Sequence, residues 1–264
     1  MKKSVLIVCL GLMVVSCFKV PISGRRQINL LPESTMIGMS VTSYKEFLSQ
    51  NPSLPTSDSQ SQMVKNVGAK IQSAVTRYLG QKKMSDRVKG YKWEFNLVND
   101  NTVNAWCMPG GKVVVYSGLL PVTQDEAGLA VVMGHEIAHA IARHGNERMS
   151  QGLVTQLGGI GLQVALAQKP KETQDIFMQA YGIGSTLGTL KYSRVHESEA
   201  DKMGLVFMAM AGYDPSTAIA FWERMAKQGG AKPLQILSTH PSDETRIKDI
   251  KAFLPEALKY YKKS

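Results

Sequence analysis

The stretch VVMGHEIAHAIARHG, residues 131–145, predicts a helix that carries two histidines on one side. Thr123 and Glu126 stand ahead of it at the spacing of a capping box, which starts a helix. Apolar residues recur through the stretch at helical spacing, and Gly145 follows two basic residues as a suitable C-terminal cap. The sequence therefore predicts one helix that ends at this glycine.

The two histidines of this helix have the spacing of metal ligands. His135 and His139 lie about 40° apart around the helix axis and one turn apart in height, so both imidazoles can bind one ion. Glu136 is offset by about 100°, within reach of a water on that metal without being a ligand itself. His144 lies about 180° from His135, so we expect it on the surface or at the helix C-terminus and not among the ligands.

A third ligand is expected from residues 193–201, SRVHESEAD, which begin a second apolar helix. A catalytic zinc site takes three protein ligands and leaves its fourth position for water. Glu197 and Asp201 share one face of this helix, whereas Glu199 faces elsewhere. Glu197 is the candidate ligand, and Asp201 is the candidate for holding the free N–H of a ligand histidine. Without the first motif, this segment would be read as an ordinary charged helical turn.

Composition is that of a globular protein, with 44% hydrophobic and 20% charged residues. The formal net charge is +10, from 31 basic and 21 acidic residues. No basic run is interleaved with aromatic residues, so the excess indicates a solvated basic surface and no nucleic-acid binding. Cys107 is expected to be the single cysteine of the mature body, which predicts no internal disulfide and a small residue in a half-buried strand rather than a nucleophile.

The N-terminus, MKKSVLIVCLGLMVVSC, has two lysines followed by an apolar run too short for a comfortable membrane span. Its last four residues look like a bacterial lipobox, which implies cleavage of a signal peptide at residues 1–16 and lipidation of Cys17. An uncleaved anchor and a plain secretory signal are the alternatives. In each case we expect the rest of the chain to be exported.

The segments between these motifs predict a helix, then a small antiparallel sheet, then the histidine helix. Helical spacing covers residues 63–79, and residues 91–100 alternate like a strand. Residues 102–108 and 112–118 flank a Pro-Gly-Gly sequence, which predicts a hairpin.

Two uncharged segments follow the histidine helix, at residues 149–168 and 176–190. We expect a helical hairpin packed near the active site. A membrane-embedded pair is the alternative, because the first segment has the length of a span, but its glutamines and glycines weaken insertion.

The motif HExxH at 135–139, followed by ExEAD at 197–201, resembles the gluzincin metallopeptidases of the HtpX and CAAX-prenyl-protease (Ste24-like) family. The chain looks most like its LoiP-like and BepA-like envelope lipoprotein members. Residues 104–120 are similar to the family's Asn-Ala-x-x-x-Pro-Gly-Gly segment, and residues 238–247 to its late His-Pro element. The resemblance covers roughly residues 60–255 with the motifs in order.

The resemblance implies an α+β, mostly helical fold with a small antiparallel sheet whose edge strand lines the active-site cleft. It divides the chain into the signal peptide, an N-terminal tether or strap at residues 17–60 and a zinc metallopeptidase domain at residues 61–264. The edge strand, which would pair with an extended substrate, is expected to comprise Lys112, Val113, Val114, Val115 and Tyr116.

The resemblance also implies one Zn²⁺ per chain, with His135, His139 and Glu197 as its ligands. Glu136 would be the catalytic base, and Asp201 would support a ligand histidine. Candidates for an oxyanion partner, by resemblance and position, are His240, Arg194 and Tyr192. In some relatives the late histidine, here His240, approaches the metal and restrains activity.

These expectations combine into a zinc-dependent endopeptidase of the bacterial cell envelope that acts in protein quality control. Its partners would be unfolded or outer-membrane polypeptides, and the lipid anchor would hold it to the membrane, on the periplasmic face of the outer membrane. A chaperone-like assembly factor for outer-membrane proteins, with latent or no protease activity, is the main alternative. A structural zinc protein is the weaker one, because a His₂Glu set resembles an open catalytic site.

Overall fold

The structure of the protein, a computed structural model, describes residues 17–157, 162–168, 170–183, 192–228, 235–240 and 244–262. The predicted signal peptide lies outside these residues, and so does the side chain of Cys17, the predicted lipidation site. Both therefore stay predictions.

The N-terminal part is a hairpin followed by two helices. Strand β1 (Cys17–Lys19) pairs antiparallel with β2 (Arg26–Ile28), and helix α1 (Glu33–Gln50) follows. Helix α2 (Ser59–Gln81) starts where the carboxylate of Asp58 accepts a hydrogen bond from its first turn. The helix predicted from apolar spacing is thus confirmed, two turns longer than its pattern.

A three-stranded sheet follows α2. Its strands are β3 (Glu94–Val98), β4 (Ala105–Met108) and β5 (Lys112–Tyr116), in the spatial order β3-β5-β4. The pair β4–β5 is antiparallel, which confirms the hairpin, whereas β3 and β5 are parallel.

This order corrects the predicted edge strand, because β5 is the central strand and the sheet is mixed rather than antiparallel. All five of its residues are buried, namely Lys112, Val113, Val114, Val115 and Tyr116. A continuous apolar run is typical of a strand covered on both faces, so the three successive valines indicate burial but not a place at the centre of the sheet. Among the described strands, β3 and β4 form the edges of the sheet.

The histidine helix begins and ends at residues other than those predicted. After a one-turn helix, α3 (Leu120–Thr123), the helix α4 (Glu126–Ala142) is capped by Asp125, whose carboxylate accepts from the Gly128 N–H at 2.7 Å. Thr123 instead directs its hydroxyl to the Leu120 carbonyl.

Arg143, not Gly145, ends α4. Its φ of 63° places it in the left-handed region, and its N–H bonds the carbonyls of His139 and Ala140. The next helix, α5 (His144–Leu157), starts at the following residue. Angular positions counted along α4 therefore do not carry over to α5.

The remaining helices complete the fold around α4. They are α6 (Leu162–Gln168), α7 (Pro170–Ala180), α8 (Arg194–Met210), α9 (Thr217–Gln228), α10 (Gln235–Thr239) and α11 (Glu244–Leu258). Among the described residues, no helix is both long enough and apolar enough to cross a bilayer. The two uncharged segments fall on α5, α6 and α7, and α7 packs against both others, while residues 158–161 and 184–191 lie outside the described part.

Two hydrophobic cores flank the sheet. The larger one joins α2, α4 and α8 and includes Val20 of the N-terminal hairpin. The smaller one surrounds Trp106 of β4, with Tyr44 of α1 and Phe177 of α7 beside it. The α+β, mostly helical class is confirmed, and the boundary predicted at residue 60 stays a prediction.

The helices α4 and α8 touch through their backbones at two glycines. A Cβ on Gly204 would lie 2.9 Å from the His135 nitrogen, and one on Gly134 would lie 3.0 Å from the Gly204 oxygen. No larger residue fits this crossing without separating the helices.

We expect Gly204→Ala to lower the free energy of unfolding by about 1–3 kcal/mol, since the added methyl group overpacks the crossing. Gly38→Ala in α1 is the matched control, because a Cβ there meets nothing within 4 Å. Thermal and denaturant unfolding measure the stability of both variants. Equal stability of the two variants would show that the crossing accommodates a methyl group.

Candidate metal centre

Helices α4 and α8 bring three metal-ligand side chains together inside the protein. His135 and His139 come from consecutive turns of α4, and Glu197 comes from the first turn of α8. Their exposed fractions are 3%, 2% and 5%. Among the described residues, these three and His240 each bring one donor atom within 4.8 Å of the others.

The distances between these donor atoms suit zinc. Tetrahedral zinc with bonds of about 2.1 Å holds its donor atoms about 3.4 Å apart. The Nε2 atoms of His135 and His139 are 3.0 Å apart, and the Glu197 oxygens lie 3.5 Å and 3.4 Å from them. The residues present therefore fit a zinc ion.

The charge around the donors also suits a cation. Burial and Arg246 lower the pKa of His135, but Asp201 and Glu197 outweigh them and raise it to about 9. The carboxylates thus favour positive charge at this imidazole, and a metal ion competes with the proton for the same nitrogen.

Asp201 selects which nitrogen of His135 faces the donors. Its Oδ1 lies 2.9 Å from Nδ1. Burial opposes ionisation of Asp201, but Arg246 and His135 outweigh it and lower the pKa of Asp201. Since an ionised carboxylate only accepts, Nδ1 donates and Nε2 is left for a metal. The structure thus brings Asp201 to the place that the sequence predicted.

His139 is oriented by a longer chain of contacts. Its Nδ1 lies 3.0 Å from Nδ1 of His144, and Nε2 of His144 lies 3.0 Å from Oε2 of Glu199. Burial lowers the pKa of His144 to about 4, so its ring is neutral. Because the Glu199 carboxylate accepts from Nε2, Nδ1 of His144 accepts from His139. This leaves Nε2 of His139 for a metal.

The expectation that His144 is a surface or cap residue was wrong, although it is not among the donor group. The side chain is fully buried, at 0% exposed. The prediction extended the geometry of α4 past Ala142, whereas the left-handed Arg143 starts a new helix and turns His144 back toward His139. Glu199, predicted to face away from Glu197, is the carboxylate that it meets.

Glu136 lies beside the donors with an unused oxygen. Its side chain is 3% exposed, and its Oε1 has no hydrogen-bond partner among the described residues. Burial is the main cause that raises the pKa of Glu136 above its usual value. An oxygen of this kind is available to take a proton from a substrate or a water.

His240 approaches the same donors directly after α10. Its Nδ1 lies 3.0 Å from Oε1 of Glu197 and 3.2 Å from Nε2 of His135, and its Nε2 lies 3.6 Å from Oε1 of Glu136. A catalytic zinc site keeps one position open. With His240 in this place, the fourth position is filled by the protein.

Arg246 of α11 holds the carboxylates of this site, a role that sequence reasoning missed. It donates to both oxygens of Asp201 at 2.8 Å and 2.7 Å and lies 3.0 Å from Glu197. Its guanidinium stacks 3.5 Å from the Trp222 ring centroid. Arg194, which the sequence analysis named as a candidate oxyanion partner, has an exposed side chain at the start of α8. The sequence signal for Arg246 was its place six residues after His240, inside the late element at residues 238–247.

Tyr192 packs on the ligand side of the centre, with its ring centroid 3.9 Å from that of His139 and 4.8 Å from that of His240. Its hydroxyl reaches the Ala180 carbonyl at 3.5 Å. The contacts of Tyr192 therefore place it as a packing surface for the two histidines.

Cys107 lies buried in β4, and burial raises the pKa of its thiol.

Comparison with known proteins assigns this site to a family. The model of "Peptidase family M48" matches residues 66–254. The mitochondrial metalloendopeptidase OMA1 of Schizosaccharomyces pombe is 36% identical over 242 residues, which cover 90% of this chain and 66% of that protein. OMA1 of Saccharomyces cerevisiae is 32% identical over 260 residues, 93% of this chain and 71% of that protein.

A bacterial relative matches a shorter part. The beta-barrel assembly-enhancing protease of Escherichia coli is 30% identical over 163 residues, which cover 60% of this chain and 33% of that protein. The chain belongs to peptidase family M48, which confirms the predictions of a metalloendopeptidase and of zinc as its metal.

Proposed function

We propose that this chain cleaves unfolded or misassembled proteins in the bacterial cell envelope. The observation that carries this proposal is the buried set of His135, His139 and Glu197 with the unpaired oxygen of Glu136 beside it. Two histidines and a glutamate are the ligands of open catalytic zinc sites, which disfavours a purely structural zinc. A bacterial relative named for β-barrel assembly supports outer-membrane proteins as the substrate class.

The mechanism follows from the positions of these side chains. When bound by His135, His139 and Glu197, zinc polarises the scissile carbonyl and lowers the pKa of water. Glu136 takes the proton of the attacking water at Oε1 and passes it to the leaving amine. Asp201 and His144 keep the two imidazoles in the required tautomers.

Strand β4 is the site that we propose for substrate pairing, in place of β5. Both edges of β5 are paired, whereas β4 has one partner among the described strands and packs on α4. An extended peptide adds to a sheet edge through its backbone. Unfolded polypeptides present such a backbone, and folded ones do not.

The proposed envelope location rests on residues 1–16 and on Cys17. The lipobox-like sequence supports a lipid anchor, periplasmic placement on the outer membrane and a place among the LoiP-like and BepA-like members of the family. Intact mass measurement on the exported chain tests this, since a lipidated Cys17 adds the mass of its acyl chains and Cys17→Ala removes it.

We also propose that the described conformation is latent. His240 takes up the position that substrate or water needs, and the donors are nearly inaccessible. Activation then requires that His240 and the short α10 before it move away. The same geometry keeps the chaperone-like assembly factor as a second candidate, because a closed site permits binding without cleavage.

We expect Glu136→Gln to lower casein cleavage by about 100-fold or more while zinc content stays unchanged, because the variant loses the base and keeps the ligands. A chelator should abolish the wild-type activity. Cleavage rate and metal content per chain are the measurements. Glu46→Gln, an exposed change on α1, is the control. Measurable and equal cleavage by wild type and Glu136→Gln would contradict the mechanism. No cleavage by either would favour the assembly factor or the latent enzyme, and His240→Ala separates these two.

We expect His240→Ala to raise kcat/KM by about tenfold, which corresponds to removal of about 1.4 kcal/mol of ground-state restraint. The three remaining ligands should keep zinc bound. A loss of activity comparable to that of Glu136→Gln would instead assign His240 to the reaction itself, as an oxyanion partner. Steady-state kinetics on an unfolded substrate separate the two roles.

A further inference from the structure

Residues 17–31 are the first part of the predicted strap, and we call this segment the N-terminal strap from here on. They reach the metal centre through the side chains of Ser23 and Arg25. The strap consists of β1, a tight turn and β2. Val20 is buried in the larger core, and its N–H bonds the Arg25 carbonyl at 2.8 Å. Gln27 is buried as well, and the Asn146 amide bonds the Leu31 carbonyl at 2.9 Å. The strap is therefore anchored in the larger core at Val20 and on α5 at Leu31.

Arg25, in the turn of the strap, bridges two carboxylates from different helices. Its Nε lies 3.0 Å and 3.1 Å from the two oxygens of Glu199 on α8. Its two terminal nitrogens donate to the two oxygens of Glu147 on α5 at 2.9 Å and 2.8 Å. Ser23 of the same turn also donates to Glu199. Paired contacts of this kind hold a carboxylate in one orientation and also balance its charge.

The orientation of Glu199 determines that of a metal ligand. Glu199 holds His144, and His144 holds His139, with both contacts at 3.0 Å. The Glu199 carboxylate accepts from Ser23 and Arg25 of the strap and from His144 of α5. Each link is buried, at 0% exposed for His144 and 4% for Glu199.

We propose that the N-terminal strap is part of the metal centre, with Arg25 as a positioning residue that orients His139 through Glu199 and His144. The proposal rests on the zinc ligands assigned above and does not depend on the substrate or on cleavage. Without Arg25, Glu147 and Glu199 lose the cation that they share, and of the strap's described contacts with Glu199 that of Ser23 alone remains. His139 then gains rotational freedom, which weakens its hold on zinc.

A purely structural role for Arg25 predicts different behaviour. A strap that only adds stability contributes equally to the metal-free and the zinc-bound protein. A positioning residue affects the difference between the two, because a ligand stabilises the folded state by an amount that grows with the logarithm of its affinity. Zinc affinity and the zinc-induced rise in Tm therefore separate these roles.

The test compares Arg25→Ala with Arg26→Ala in the full chain. Arg26 is the exposed next residue, so its replacement removes the same charge without a contact to Glu199. Zinc affinity is measured by competition with a chromophoric chelator, and Tm is measured with and without zinc. We expect Arg25→Ala to weaken zinc binding by about 10–100-fold, the usual effect of removing a residue that supports a ligand, and to reduce the zinc-induced rise in Tm. Arg26→Ala should match the wild type.

Arg25→Lys provides a second variant in case Arg25→Ala does not fold. It keeps the charge but cannot donate as a planar fork, so we expect a smaller loss of zinc affinity in the same direction. Unchanged zinc affinity, with Tm lowered equally in both forms, would overturn the proposal. A wild type that binds no zinc would overturn it too. Weakened zinc binding in a chain that cleaves nothing would leave the proposal standing and reject only the proposed protease function.

Discussion

The contact of two helix backbones at Gly134 and Gly204 determines the geometry of the metal centre. This contact sits one residue before His135 and three residues after Asp201. At such a short distance between helix axes, a carboxylate of α8 reaches an imidazole of α4 directly, as Asp201 does at 2.9 Å. The same approach places Glu197 against both ligand histidines. Two glycines far apart in sequence thus control the distances of the whole site.

Such a close approach buries several carboxylates in one small volume, and their charge has to be balanced. Buried charges are tolerated only with partners. Arg246 lies against Asp201 and Glu197, and Arg25 lies against Glu199. The two arginines come from opposite ends of the described chain. A zinc ion held by His135, His139 and Glu197 would supply further positive charge.

Interactions between residues close in the sequence could be predicted, whereas most interactions between distant residues could not. His135, Glu136 and His139 share one helix, so their relative positions are a local property and were predicted from spacing alone. Glu197 and Asp201 likewise share the helix α8. His144 was misplaced because a single left-handed residue, Arg143, interrupts the helix. Arg246 and Arg25 act across 45 and 174 residues, beyond any local pattern. The central place of β5 depends likewise on parallel pairing with β3, which strand alternation does not reveal.

The two ligand histidines are held by different parts of the fold. His135 is held by a carboxylate on the helix that already crosses its own, so it moves only if the core moves. His139 depends on His144, Glu199 and finally on a surface hairpin at the N-terminus. Segments held at a protein surface open at lower free energy than core helices. Any force or partner that lifts the hairpin therefore acts on His139 before it acts on His135.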